Sequence, residues 1–89
     1  MDICKRVHYS GRVQGVGFRY TARQLAQRFA VAGYVRNLPS GDVELVAEGE
    51  PDEVQRLLDA VAARMADYIA SHTIHDEPPG GLQGFVIRH

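Results

Sequence analysis

The stretch Gly11-Arg12-Val13-Gln14-Gly15-Val16-Gly17-Phe18-Arg19 constrains this chain more than any other. An alternating run precedes it. Lys5, Val7, Tyr9 and Gly11 fall on one side and Cys4, Arg6, His8 and Ser10 on the other, which predicts a strand within residues 3–13. A helical pattern follows, with Phe18, Ala22, Leu25, Ala26 and Phe29 on one face and Arg23, Gln24, Gln27 and Arg28 on the other. Glycines between strand and helix let the backbone turn tightly and its N–H groups face inward. The first N–H groups of a helix lack partners and favour an anion. Arg19 adds a planar fork of donors matched to phosphate. The pattern predicts a small oxyanion site at a strand-to-helix turn, best suited to a phosphoryl group. A glycine turn that merely links the two elements is the alternative these residues leave open.

The same spacing excludes two nucleotide motifs. A P-loop needs Gly-Lys-Ser/Thr at its end, and Gly17 is followed by Phe18 and Arg19. A dinucleotide fingerprint needs Gly or Ala three residues after Gly17, where Tyr20 stands.

Gly33 is placed to end the first helix. Tyr34 to Leu38 reads as a second strand and Pro39-Ser40-Gly41-Asp42 as a turn. Val43, Leu45 and Ala47 alternate with Glu44, Val46 and Glu48, which gives a third strand and a hairpin. Pro51, Asp52 and Glu53 open a second helix whose buried stripe is Val54, Leu57, Leu58, Val61 and Met65. Residues 68–75 have strand character without a clean face. Asp76 to Gly81 is a loop, and Gln83 to Arg88 a terminal strand with Phe85 and Ile87 on one side.

The order β-α-β-β-α-β, with a possible extra strand at the end, predicts a ferredoxin-like α+β sandwich. Two helices lie on one face of an antiparallel sheet, in one domain over residues 1–89. Strands one and two then run parallel on either side of strand three. The glycine loop and Asn37 therefore face the same region. The Asn37 amide both donates and accepts, so it can orient a water. Turn initiation ahead of Leu38-Pro39 explains the same residue without chemistry.

Composition narrows the remaining classes. The single cysteine, Cys4, excludes an intrachain disulfide and suits a reducing compartment. No apolar run approaches membrane-spanning length, and the N-terminus lacks a signal-peptide apolar region, so the cytoplasm is expected. No metal-ligand spacing occurs; His72 and His75 differ by three and point to opposite faces of a strand. Residues 1–30 carry a formal charge of +5 and residues 31–89 one of −6, so the first third can attract an anion.

On the Gly11 to Arg19 motif, and on Gly33-Tyr34-Val35-Arg36-Asn37 continuing through Gly41, Val43 and Gly49, the sequence resembles the acylphosphatases over essentially its whole length. It departs from many relatives between Met65 and His75, where it lacks a Gly-Pro turn. The resemblance implies the ferredoxin-like fold and hydrolysis of acyl phosphates to carboxylate and inorganic phosphate. It implies that Arg19 binds the phosphate, and that Asn37 positions the attacking water. Backbone amides of Gln14, Gly15, Val16, Gly17 and Phe18 are suited to complete the phosphate cradle. The expected partner is a small acyl phosphate met by a monomer, without metal, cofactor, nucleic acid or membrane. The alternative is a non-catalytic module of the same fold that binds an acyl or carbamoyl phosphate, as at the N-terminus of a hydrogenase-maturation carbamoyltransferase. A chain ending at His89 is expected to be the stand-alone enzyme. RNA binding through the sheet would call for aromatics on strand three, and Asp42 to Glu48 has none.

Overall fold

A computed structural model describes residues 1–89. The elements run β1 (Ile3–Gly11), α1 (Phe18–Ala26), β2 (Val31–Asn37), β3 (Val43–Gly49), α2 (Pro51–Arg64), β4 (Ile69–Glu77) and β5 (Phe85–Arg88). They form one five-stranded sheet in the order β4-β1-β3-β2-β5. The four strands β4, β1, β3 and β2 pair antiparallel. β5 joins the β2 edge in parallel, from Gly33 opposite Phe85 to Arg36 opposite Arg88, so the expected antiparallel sheet is extended into a mixed one. This is the ferredoxin-like α+β architecture with an added C-terminal strand.

Periodicity sets the core. Val7 and Tyr9 of β1, Val35 of β2, and Val43, Leu45 and Ala47 of β3 point to the helices. Phe18, Ala22, Leu25 and Ala26 of α1 and Val54, Leu57, Leu58 and Val61 of α2 meet them, with Met65 just beyond. Burying one such aliphatic side chain stabilises by roughly 1.5–3 kcal/mol. Pro51 begins α2, and Asp52 and Glu53 lie against the positive end of its dipole. Glu53 also accepts the Ala30 N–H at 2.8 Å, which joins this turn to the start of β2.

Every residue of β3 is buried, on both faces. Away from the helices, Glu44 accepts hydrogen bonds from His8, Arg36 and Tyr34. Glu48 accepts the N–H groups of Gly80, Gly81 and Leu82 at 2.7, 2.8 and 3.1 Å. These three residues belong to the connection from β4, at one sheet edge, to β5, at the other. The connection is pinned to the central strand midway, and Cys4, opposite Glu48, is buried there. Burial, then the nearby Glu48 and Glu77 carboxylates, push the Cys4 thiol pKa up.

Gly33 does not end α1. The helix stops at Ala26, and short bonds from the Arg28 and Phe29 N–H groups to Leu25 and Ala26 tighten its last turn, so no left-handed residue is needed. Gly33 instead lies within β2 at φ 152°, where a Cβ would stand 1.8 Å from the Val46 carbonyl oxygen. β2 accordingly begins at Val31, earlier than the predicted Tyr34. The α2–β4 turn manages without Gly-Pro: Tyr68 and Ile69 both donate backbone N–H bonds to Met65. β4 lies at the sheet edge with its residues exposed on both faces, which explains its lack of a clean periodic face.

Candidate functional site

The site begins with two buried anchors. Val13 and Phe18 bracket the β1–α1 loop, and the Phe18 ring packs on Tyr9 with centroids 5.0 Å apart. Between the anchors, Gly15 and Gly17 both adopt φ 78°, a left-handed conformation that side chains disfavour. Gly17 is the N-cap of α1, with no side-chain cap and no acidic residue in the first turn. None of the backbone N–H groups from Gln14 to Tyr20 has a hydrogen-bond partner within the protein. The result is a row of free donors at the positive end of a helix.

These donors border an open pocket of about 370 Å³, lined by Gly15, Gly17, Arg19 and Asn37 among others. Arg19 projects from the first turn of α1 and makes no ion pair with a carboxylate. Its Nη1 lies 3.3 Å from Nδ1 of His89, within hydrogen-bond distance. Asn37 ends β2, half-buried and opposite Val43. The parallel run of β1 and β2 on either side of β3 brings this residue and the glycine loop to one end of the sheet.

Gln14 takes a particular place in this arrangement. Its side-chain amide donates to the Leu38 carbonyl at 2.8 Å and the Asp42 carbonyl at 2.9 Å. It thereby ties the glycine loop to the β2–β3 turn next to Asn37, while its backbone N–H stays with the free donors. Arg12 does not line the pocket. Its backbone N–H bonds the Tyr68 carbonyl, and its guanidinium lies 6.0 Å from the Tyr68 ring centroid.

Four further pocket residues went unnoticed in the sequence: Tyr20, Arg23, Ile87 and His89. Arg23 lies four residues after Arg19, so helical spacing alone could have found it. Ile87 and His89 arrive through β5, whose partner strand is not legible locally. No Asp or Glu side chain lines the pocket. The most elaborate carboxylate network, around Glu44, is on the other face of the sheet. Burial alone would raise the Glu44 pKa, but hydrogen bonds from His8 and Arg36 outweigh it and hold the carboxyl below its ordinary value. No helix is long and apolar enough to cross a membrane.

Fold and site together define a small ferredoxin-like protein with a loop of unpartnered N–H groups between its first strand and first helix. Residues 5–87 match the acylphosphatase family. An acylphosphatase from Pseudomonas paraeruginosa is 40% identical over 89 residues, spanning 97% of this chain and 96% of its own. One from Acaryochloris marina is 51% identical over 57 residues, a match spanning 64% of this chain and 61% of that relative. The crystal structure of the Bacillus subtilis acylphosphatase superposes with a TM-score of 0.88 at 30% identity, covering 98% of this chain and 99% of the other. The chain belongs to the acylphosphatase family of enzymes.

Proposed function

We propose that this protein hydrolyses the carboxyl–phosphate anhydride of acyl phosphates, with the loop amides of Gln14 to Phe18 and the Arg19 guanidinium binding the phosphoryl group and Asn37 positioning the water. The observation that carries this reading is the row of unpartnered N–H groups meeting Arg19 and Asn37 in one pocket without an Asp or Glu side chain. Phosphoryl transfer leaves little covalent chemistry to a protein. It asks for in-line alignment and for donors aimed at the three equatorial oxygens. The cradle and Arg19 are suited to those oxygens. The Asn37 amide oxygen accepts a proton bond from water and so turns its lone pair toward phosphorus.

The water oxygen forms the new P–O bond, and the bond to the acyl oxygen breaks. Its electron pair departs with the carboxylate, a leaving group stable without a proton. No Asp or Glu side chain lines the pocket and the His89 imidazole lies against Arg19, so the water proton passes to a phosphoryl oxygen or to solvent.

The test is steady-state hydrolysis of benzoyl phosphate in EDTA by the native chain, Arg19→Ala and Asn37→Ala. Native turnover is expected to survive EDTA. Each variant should remain folded by circular dichroism and lose roughly 10²–10³ in rate, the usual cost of one positioned donor. A folded native chain without turnover would overturn the reading.

A further inference from the structure

Three side chains able to carry positive charge, Arg19, Arg23 and His89, line a pocket that no Asp or Glu side chain lines. A single phosphoryl group within the cradle engages Arg19. Arg23 stands one helical turn further along α1, where Cβ atoms lie about 5–6 Å apart. Its Nε is buried and has no hydrogen-bond partner, and it joins no ion pair. Arg23 is also held in place. Its guanidinium lies 5.6 Å from the Tyr20 ring centroid, and Gln24 donates to the Tyr20 hydroxyl at 2.6 Å. A fixed, unpaired guanidinium beside a phosphate cradle has donors to offer the part of the substrate that extends beyond phosphorus.

We propose that Arg23, backed by Tyr20, is a specificity-determining residue that receives a second anionic group, a carboxylate, on the acyl side of the substrate. This rests on the acylphosphatase reading and deepens it. The preferred substrates are monophosphates of dicarboxylic acids rather than of simple fatty or aromatic acids. The guanidinium fork matches a carboxylate with two parallel N–H···O bonds. The i, i+4 spacing of the two arginines, about 5–6 Å between Cβ atoms, is of the order of the length of a four-carbon diacid.

Fumaroyl monophosphate and crotonoyl phosphate test this. They share a rigid trans four-carbon skeleton and differ in a terminal carboxylate against a methyl, and the trans geometry prevents cyclisation. The readout is the ratio of their kcat/KM values in the native chain and in Arg23→Gln, which cancels intrinsic reactivity. Arg23→Gln is expected to lower the fumaroyl to crotonoyl ratio about tenfold at low salt, as loss of a charge-assisted contact does. The native ratio should itself shrink as sodium chloride is raised. Arg23→Lys should recover only part of the preference, since a point charge lacks the fork. An unchanged ratio in Arg23→Gln overturns the proposal, whether both rates stay native or both fall together. Hydrolysis of neither compound by the folded native chain overturns the parent reading, and this one with it.

Discussion

Removing the Gln14 side-chain amide separates the two halves of the site. Gln14→Ala deletes hydrogen bonds of 2.8 Å to Leu38 and 2.9 Å to Asp42. Neither carbonyl is orphaned: Leu38 still accepts the Gly41 N–H at 3.0 Å, and Asp42 the Leu38 N–H at 2.8 Å. The loss is therefore the net worth of two neutral hydrogen bonds, about 2 kcal/mol together, without the penalty for stranding a buried acceptor. For a domain of this size that lowers Tm by roughly 10 °C. Gln14→Glu should cost more, because a carboxylate would face two carbonyl oxygens with no proton to give. The kinetic effect is the sharper test. A misplacement on the order of 1 Å between cradle and water can cost about 100-fold. Gln14→Ala, assayed where it is fully folded, should therefore lose about 10- to 100-fold in kcat on benzoyl phosphate. Urea unfolding measures the first quantity and steady-state hydrolysis the second. A variant within about 0.5 kcal/mol of native, inside the range of neutral surface changes, would refute the energetic argument. A destabilised but folded variant with native kcat would refute the positional one.

Two further perturbations test the sheet. Gly33→Ala should lose more than about 3 kcal/mol in urea unfolding, a core-clash effect. Its Cβ would stand 1.8 Å from the backbone oxygen of Val46, which no side-chain motion can relieve. Gly41→Ala, at φ 97° in open space, should cost only about 1–2 kcal/mol by the same assay. Glu44 predicts a pH dependence. Its folded pKa lies below its ordinary value of 4.5, so its stabilisation is present above that pH and is lost as pH falls through the folded pKa. Glu44→Gln should therefore be less stable than native at neutral pH and show a shallower loss in acid. Parallel acid profiles for the two chains would contradict the assignment.

Local patterns predicted what local physics decides. The β1–loop–α1 unit, the β2–β3 hairpin and the α2 stripe each carry their periodicity in neighbouring residues, and the packed structure keeps them. Gly33 misled because a glycine after a helix is ordinarily a cap, whereas here the need for it comes from Val46, across the β2–β3 pair. The parallel seat of β5 and the pinning of residues 80–82 by Glu48 are likewise contacts between distant stretches, without a local signal. At the site, Arg19 and Asn37 were legible as residue types, and their meeting followed from topology. The tie made by the Gln14 amide did not, because its partners lie 24 and 28 residues away. Arg23 was visible as an exposed helical arginine. Its buried Nε, its place over the Tyr20 ring and the pocket it lines distinguish it from Arg28, and all three appear only in the folded chain.

The pinned crossover also governs how the molecule comes to exist. β4 and β5 lie at opposite edges of the sheet, yet both come from residues 69–88. A ribosome delivers β1, β3, β2 and both helices before either outer strand is free to pair. Each nascent molecule thus passes through a stage with two bare edges, the condition under which strands recruit strands from other chains. That exposure ends only when residues 69–88 have paired, β4 along β1 and β5 along β2. Glu48, already seated in the central strand, is the catch on which that segment closes.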